Sequence, residues 1–262
     1  GCGAGPAPGA GEYAEVRLGA AATIVSLESE LIGRPTHIDV DESGRVWIAD
    51  PLARRVLAVG PGGDSPSFID KEGEGPGELR SPVRVVASDS LIQILDSGNM
   101  RVQSYRPDGQ PIAERRIADL MLAVGALAPD GRVAVPTSGR DGVLARVYVP
   151  GEADPRLIGE AIVPPAPWNF PAMKNEIATG RVPDQFRNEV MPVLGRDGTT
   201  WLLVQTAAEV RRYDEAGALV WSRELDVPEI EAARREFFRR NEEEPSPSVL
   251  VPLITFAAAR EV

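Results

Sequence analysis

PTHIDVDESGRVWIAD, residues 35–50, reads as strand, turn and strand. Ile38 and Val40 alternate with polar neighbours, Glu42-Ser43-Gly44 supplies turn residues, and Val46 to Asp50 forms a second apolar run. Alternation of this kind, interrupted by a glycine-containing turn, is the mark of a β-hairpin. Sliding the stretch along the chain decides the fold. Moved by 46 positions without a gap, Val46-Trp47-Ile48-Ala49-Asp50 falls on Ile92-Gln93-Ile94-Leu95-Asp96. Arg55-Val56 then falls on Arg101-Val102, Val59 on Tyr105 and Gly63 on Gly109. Moved by 154, Gly44 falls on Gly198, Trp47 on Trp201, Val56 on Val210, Val59 on Tyr213 and Gly63 on Gly217. A weaker copy starts at Pro129-Asp130-Gly131 and continues, after a longer hairpin, through Arg146 to Val149.

Every copy keeps one order. A short strand leads through a turn to a second strand, a loop leads to a third, and a glycine turn such as Asp108-Gly109 or Ala216-Gly217 leads to a fourth. Four short strands in a unit of roughly 40 to 46 residues predict an all-β fold, a β-propeller of four-stranded antiparallel blades. Trp47 and Trp201 are expected at equivalent places in two blades. The pattern P-x-x-I-x-V-D-x-x-G-x-V-W-I-A-D, followed by R-V, an aromatic and a closing glycine, resembles the NHL repeat. Gly73-Glu74-Gly75-Pro76-Gly77-Glu78-Leu79 is similar to the inter-blade connection of bacterial six-bladed propellers. The resemblance implies an exported, often lipid-anchored protein. It implies no particular activity, because one fold carries many.

A six-bladed ring at about 45 residues per blade requires roughly 270 residues of repeat. Four copies and a fragment are legible, so the expectation is a partial propeller or a truncated frame, with an open end of marginal stability. Residues 15–27 read as an outer strand and Val249-Leu250-Val251 as the start of another. Residues 15–262 are assigned to the propeller, with an insertion at 164–192 that begins Pro-rich and carries a short helix near Ala172–Ile177. Within it Trp168 and Phe170 are candidates for contact with a ligand or partner, or for packing on a blade edge. Residues 228–244 read as a helix with Ile230, Ala233, Phe237 and Phe238 on one stripe, either a surface helix between blades or an interaction helix. Its acids at 242–244 sit at the negative end of the helix dipole and are expected to fray.

The net charge of -11 argues against nucleic acid as a partner. No apolar run is long enough to span a bilayer. Cys2 is the single cysteine. It is either an idle terminal thiol or, between Gly1 and Gly3 and ahead of a flexible Gly/Ala/Pro linker over residues 1–14, a lipidation site like that of a bacterial lipoprotein. Such a lipid is the only membrane attachment expected, in the periplasm or at the outer membrane.

Chemistry-bearing signals are few. A glycine-rich phosphate cradle needs free backbone N–H groups at a helix N-terminus. In residues 71–82 Glu74 and Glu78 repel phosphate and Pro76 lacks an N–H, so this stretch is read as a structural turn between blades. His37, the only histidine, falls in a strand. Asp39, Asp41 and Asp50 imitate calcium-loop spacing, but lie in the blade register and are read as turn formers. Asp50 and Asp96 are expected to cap the turn that follows them. No cofactor is expected. The reading is a non-enzymatic envelope propeller that binds a protein or small ligand at a channel mouth. The alternatives are a metal-dependent lactonase or hydrolase on the same fold, and a scaffold fragment.

Overall fold

The structure, a computed structural model, describes residues 31–117, 125–226, 228–246 and 249–251. Within them the chain forms four antiparallel four-stranded sheets, each a simple meander. Blade 1 comprises β1 (His37–Val40), β2 (Val46–Asp50), β3 (Arg55–Val59) and β4 (Ser67–Ile69). Blade 2 comprises β5 (Pro82–Ala87), β6 (Ile92–Asp96), β7 (Arg101–Tyr105) and β8 (Pro111–Arg116). Blade 3 comprises β9 (Ala126–Leu127), β10 (Val133–Pro136), β11 (Val143–Tyr148) and β12 (Arg156–Glu160). Blade 4 comprises β13 (Val190–Leu194), β14 (Thr200–Val204), β15 (Glu209–Tyr213) and β16 (Leu219–Glu224). The first strands β1, β5, β9 and β13 touch in succession and are the innermost, whereas β8 and β16 are exposed outer strands. The fold is a β-propeller.

The repeated sequence positions do repeated work. Trp47 and Trp201 both occupy the second place of a second strand, opposite the third strand of their blade. Trp47, Ala49, Val56 and Ala58 of blade 1 pack on Val85, Ile92, Ile94 and Tyr105 of blade 2. The next two interfaces repeat this arrangement around Leu95, Val102, Val133 and Val135, and around Leu144, Val147, Leu202 and Val204. Each fully buried aliphatic side chain contributes about 1.5–3 kcal/mol, so these stacked faces carry the fold. Hairpin turns recur in chemistry as well. Asp41, Asp130 and Asp197 each accept from the backbone N–H two residues on, closing the turn between first and second strands. Gly44 and Gly198 take φ of 82° and 88° there, a left-handed conformation open to glycine at no steric cost. Arg54, Met100 and Ala208 each precede a third strand with φ between 50° and 55°. The same strained place in three blades marks it as architecture.

Asp50 and Asp96 do more than cap the next turn. Asp50 accepts from Ala53 N–H, as expected, and also from Gly33 and Arg34 N–H, which lead into β1. Asp96 likewise accepts from Arg80 and Ser81 N–H ahead of β5, and from Asn99 Nδ2. Each carboxylate ties the end of a second strand to the start of the first. Side chains also cross between blades along the inner strands: Thr36 Oγ1 donates to Val83 O, and Asp39 accepts from Ala87 N–H.

The 71–82 stretch is a turn between β4 and β5, wrapped around a side chain from further on. Arg101 is 2% exposed. Its guanidinium donates to the carbonyls of Glu74, Gly75 and Glu78 and pairs with Glu114. Gln103 holds the same loop through Gly77 N–H and Glu78 O.

Three boundaries differ from expectation. The insertion ends by residue 189, because Val190 to Pro192 already pair with β14; their alternating apolar pattern belongs to the blade. Residues 249–251 form no strand; Asn241 instead holds Val251, donating to its O and accepting from its N–H. The helix expected to fray at its acids runs through Glu243, and Arg239 pairs with both Glu236 and Glu243. Cys2, residues 1–14 and the strand expected at 15–27 lie outside the described residues.

Burial works to raise the Asp50 pKa, but the N–H groups of Ala53, Gly33 and Arg34 outweigh it and hold the carboxyl below its ordinary value. Asp50→Ala orphans three donors and is expected to cost about 3 kcal/mol at pH 7. A depressed folded pKa gives stability that is full above the unfolded carboxylate pKa of about 3.9 and is lost as pH falls through the folded value. Urea unfolding of both proteins at pH 7 and pH 3 should therefore show the gap closing in acid.

Candidate functional site at the connection rim

The meander places the described inter-blade connections, and the loops between second and third strands, at one rim. Over blades 3 and 4 this rim carries two helices. Helix α1 (Phe170–Ala178) starts where Asn169 caps Ala172 N–H and Pro171 sits in the first turn. It ends at Thr179, whose N–H closes on the last carbonyls, before Gly180 turns the chain. Helix α2 (Pro228–Glu243) begins on a proline, with Glu229 and Glu231 in its first turn. Met173 and Ile177 of α1, one turn apart, meet Phe237 of α2 and Phe186 of the connecting 3-10 turn. Asn188 fastens the base of the insertion, accepting from Ile162 and Val163 N–H and donating to Val163 O. Arg234 fastens α2 to the rim of blade 4 through Thr206 O.

A chain of aromatic rings runs through this cap. Trp168 lies 6.0 Å from Phe170 and 5.8 Å, edge-on, from Phe186. Phe186 meets Phe237 at 5.9 Å, and Phe237 meets Phe238 at 5.1 Å. Edge-to-face rings at such separations attract beyond their buried area. One end of the chain, Trp168, remains 57% exposed. The other end, Phe238, lines a cleft of about 560 Å³ together with Lys174, Asn175, Ile177, Asn241 and Glu242. That volume is in the range of small-molecule sites. The Lys174 ammonium donates to Glu244 O and Ser246 O, bracing the segment after α2. A second cleft of about 300 Å³ lies between the insertion and blade 4, lined by Ile162, Arg181, Asp184, Arg187 and Thr206.

Among the residues singled out from the sequence, Trp168 and Phe170 are brought together here, with Trp168 also edge-on to Phe186. Asp39, Asp41 and Asp50 are committed separately in blade 1. Asp41 accepts from Ser43, Arg45 N–H and Trp47 Nε1, while Asp39 and Asp50 have the partners given above. His37 lies in β1. Among the described residues no three His, Cys, Asp or Glu side chains gather as a metal-holding group. The sequence reading missed Phe186, Lys174 and Asn241, although the helical stripe of α2 already offered Phe237 and Phe238. It also missed Glu189, a half-buried carboxyl that accepts from Ser138 Oγ at 2.9 Å. Ser138 stands in a left-handed conformation, φ 53°, in the lengthened loop of blade 3.

No family model matches the chain, and neither does any curated protein. Solved structures with a similar course include hydrazine synthase of Kuenenia stuttgartiensis, with TM-score 0.47 and 16% identity over 79% of this chain and 53% of that one. A catalytically inactive virginiamycin B lyase of Staphylococcus aureus with quinupristin gives 0.43 and 14%, over 76% of this chain and 58% of that one. A protein of Bacteroides fragilis described as exported gives 0.41 and 12%, over 76% and 73%. The chain thus spans little more than half the length of the first two. At these identities and scores the likenesses carry no functional argument.

Burial raises the Glu189 pKa, and the Ser138 hydrogen bond opposes that only in part. A raised folded pKa gives stability that is full below the unfolded value and is lost as pH rises through the folded one. Glu189→Gln is therefore expected to be more stable than the parent at pH 8 and indistinguishable from it at pH 4. Thermal unfolding at the two pH values checks this.

Proposed function

We propose that the protein is an exported β-propeller whose role is recognition, and that it takes a protein segment or small ligand at the connection rim. The observation that carries this reading is the ring chain from exposed Trp168 to Phe238 at the cleft wall. Large aromatics held rigid by their neighbours lose little entropy on contact and dominate binding energies. Asn175 and Glu242 add polar groups that orient a ligand, on a wall whose Lys174 and Asn241 hold the segment after α2. The NHL-like repeat, a bacterial envelope location and a lipid on Cys2 belong to the same proposal and rest on the sequence patterns alone.

Selection of a displayed peptide library and a small-molecule set on the immobilised protein tests it, with Trp168→Ala as the counter-selected variant. Ligands are expected that bind the parent and lose at least about tenfold in affinity, about 1.4 kcal/mol, to Trp168→Ala. Ligands indifferent to Trp168 and to Phe238→Ala would place recognition elsewhere. Turnover of a lactone by the protein supplied with calcium would replace this reading with the hydrolase one.

A further inference from the structure

Arginines half-buried or more in this chain are matched to acceptors. Arg101 has Glu114 and three carbonyls, Arg132 has Asp130 and Gly195 O, Arg211 has Glu209, and Arg115 has Gly131 O. Arg84 breaks the pattern. Among the described residues it forms no hydrogen bond or ion pair: its Nε is closed off without an acceptor, as in Arg101 and Arg211, but its Nη groups, unlike theirs, have no acceptor and open to water. Its position is set by register. Arg84 lies on β5 opposite Leu95 of β6, and opposed residues share a sheet face. Leu95 packs with Val133 and Val135 of blade 3, so the Arg84 stem leaves β5 toward that blade. β5 is the innermost strand of blade 2 and runs beside β1 and β9. Burial alone pushes its pKa down, with no anion to push it back.

A guanidinium so placed lacks one thing, an oxyanion. Its planar fork matches a carboxylate or a phosphate through two parallel N–H···O bonds. Val83, Leu95, Val133 and Val135 pack on that same face, and apolar neighbours lower the local dielectric, which strengthens such a pair. The protein's net charge of -11 opposes anions in general. A lone cation kept among apolar neighbours is therefore selective for a ligand that reaches it. We propose that Arg84 is the anchor of an oxyanion-binding site on the inner strand of blade 2, which takes the carboxylate or phosphate group of a small ligand. This site is separate from the helical cap and does not depend on it.

The test uses the full chain, with inorganic phosphate in one arm and citrate in the other, at ionic strength held constant with sodium chloride. The parent is expected to show a saturable rise in Tm of about 4 °C with at least one of the two; which one responds names the ligand class. Arg84→Met keeps the apolar stem and removes the charge. It is expected to melt no lower than the parent without anion, since an unpaired, partly buried charge is gone, and to show no anion-dependent rise. Arginine side-chain Nε–H NMR provides a readout independent of stability. The Nε–H signal missing in Arg84→Lys should be the one that moves on titration. A parent without any anion-specific rise, an equal rise in Arg84→Met, or a titration that leaves the Arg84 signal still would each overturn the site.

Discussion

A carboxylate buried at the end of the second strand holds each of the first two blades together internally. Asp50 and Asp96 are 0% exposed; Asp50 gathers backbone N–H groups from two separate segments of chain, and Asp96 those of Arg80 and Ser81 together with Asn99 Nδ2. The innermost strand of a propeller has one edge without a β partner, so its start needs fastening by other means. The carboxylates provide it, and Thr36 and Asp39 extend it along the same edge by bonding across to β5. With first strands fixed in this way, the apolar faces between blades meet in register.

Blades 3 and 4 lack that carboxylate, and there the structure departs from its period. Thr137, just after β10, and Val204, the last residue of β14, stand where Asp50 and Asp96 stand in blades 1 and 2. In compensation Asn188 grips Ile162 and Val163, and Gln205 N–H reaches Glu189 O. The lengthened loop with Ser138, the insertion and α2 all cluster at this rim. The regular half of the molecule serves as scaffold, and the irregular half carries the aromatic chain and both clefts.

What could be read from the sequence follows from the same division. Trp47 and Trp201 fell in equivalent strands because a gapless offset of 154 residues preserves both face and neighbour. The turn in Gly73–Glu78 was legible because acids and a proline exclude the phosphate alternative. Helices α1 and α2 were each visible through local signals, proline starts and apolar spacing. Their contact was not, because Phe186 and Phe237 come from aperiodic segments and only folding brings them to 5.9 Å. The second half of each carboxylate tie was hidden for a similar reason. An aspartate ahead of a turn explains itself locally, and nothing in the sequence announces that Gly33 and Arg34 also need it.

Arg101 sets an order on folding. The loop it fills precedes blade 2, yet the side chain comes from the third strand of that blade, 23 to 27 residues later. As the chain leaves the ribosome, the carbonyls of Glu74, Gly75 and Glu78 have no partner until β7 has emerged. The junction of blades 1 and 2 therefore closes only once most of blade 2 exists. The cooperative unit of this protein is then offset from its visible blades: it runs from the middle of one sheet to the middle of the next, and local opening should follow those offset boundaries.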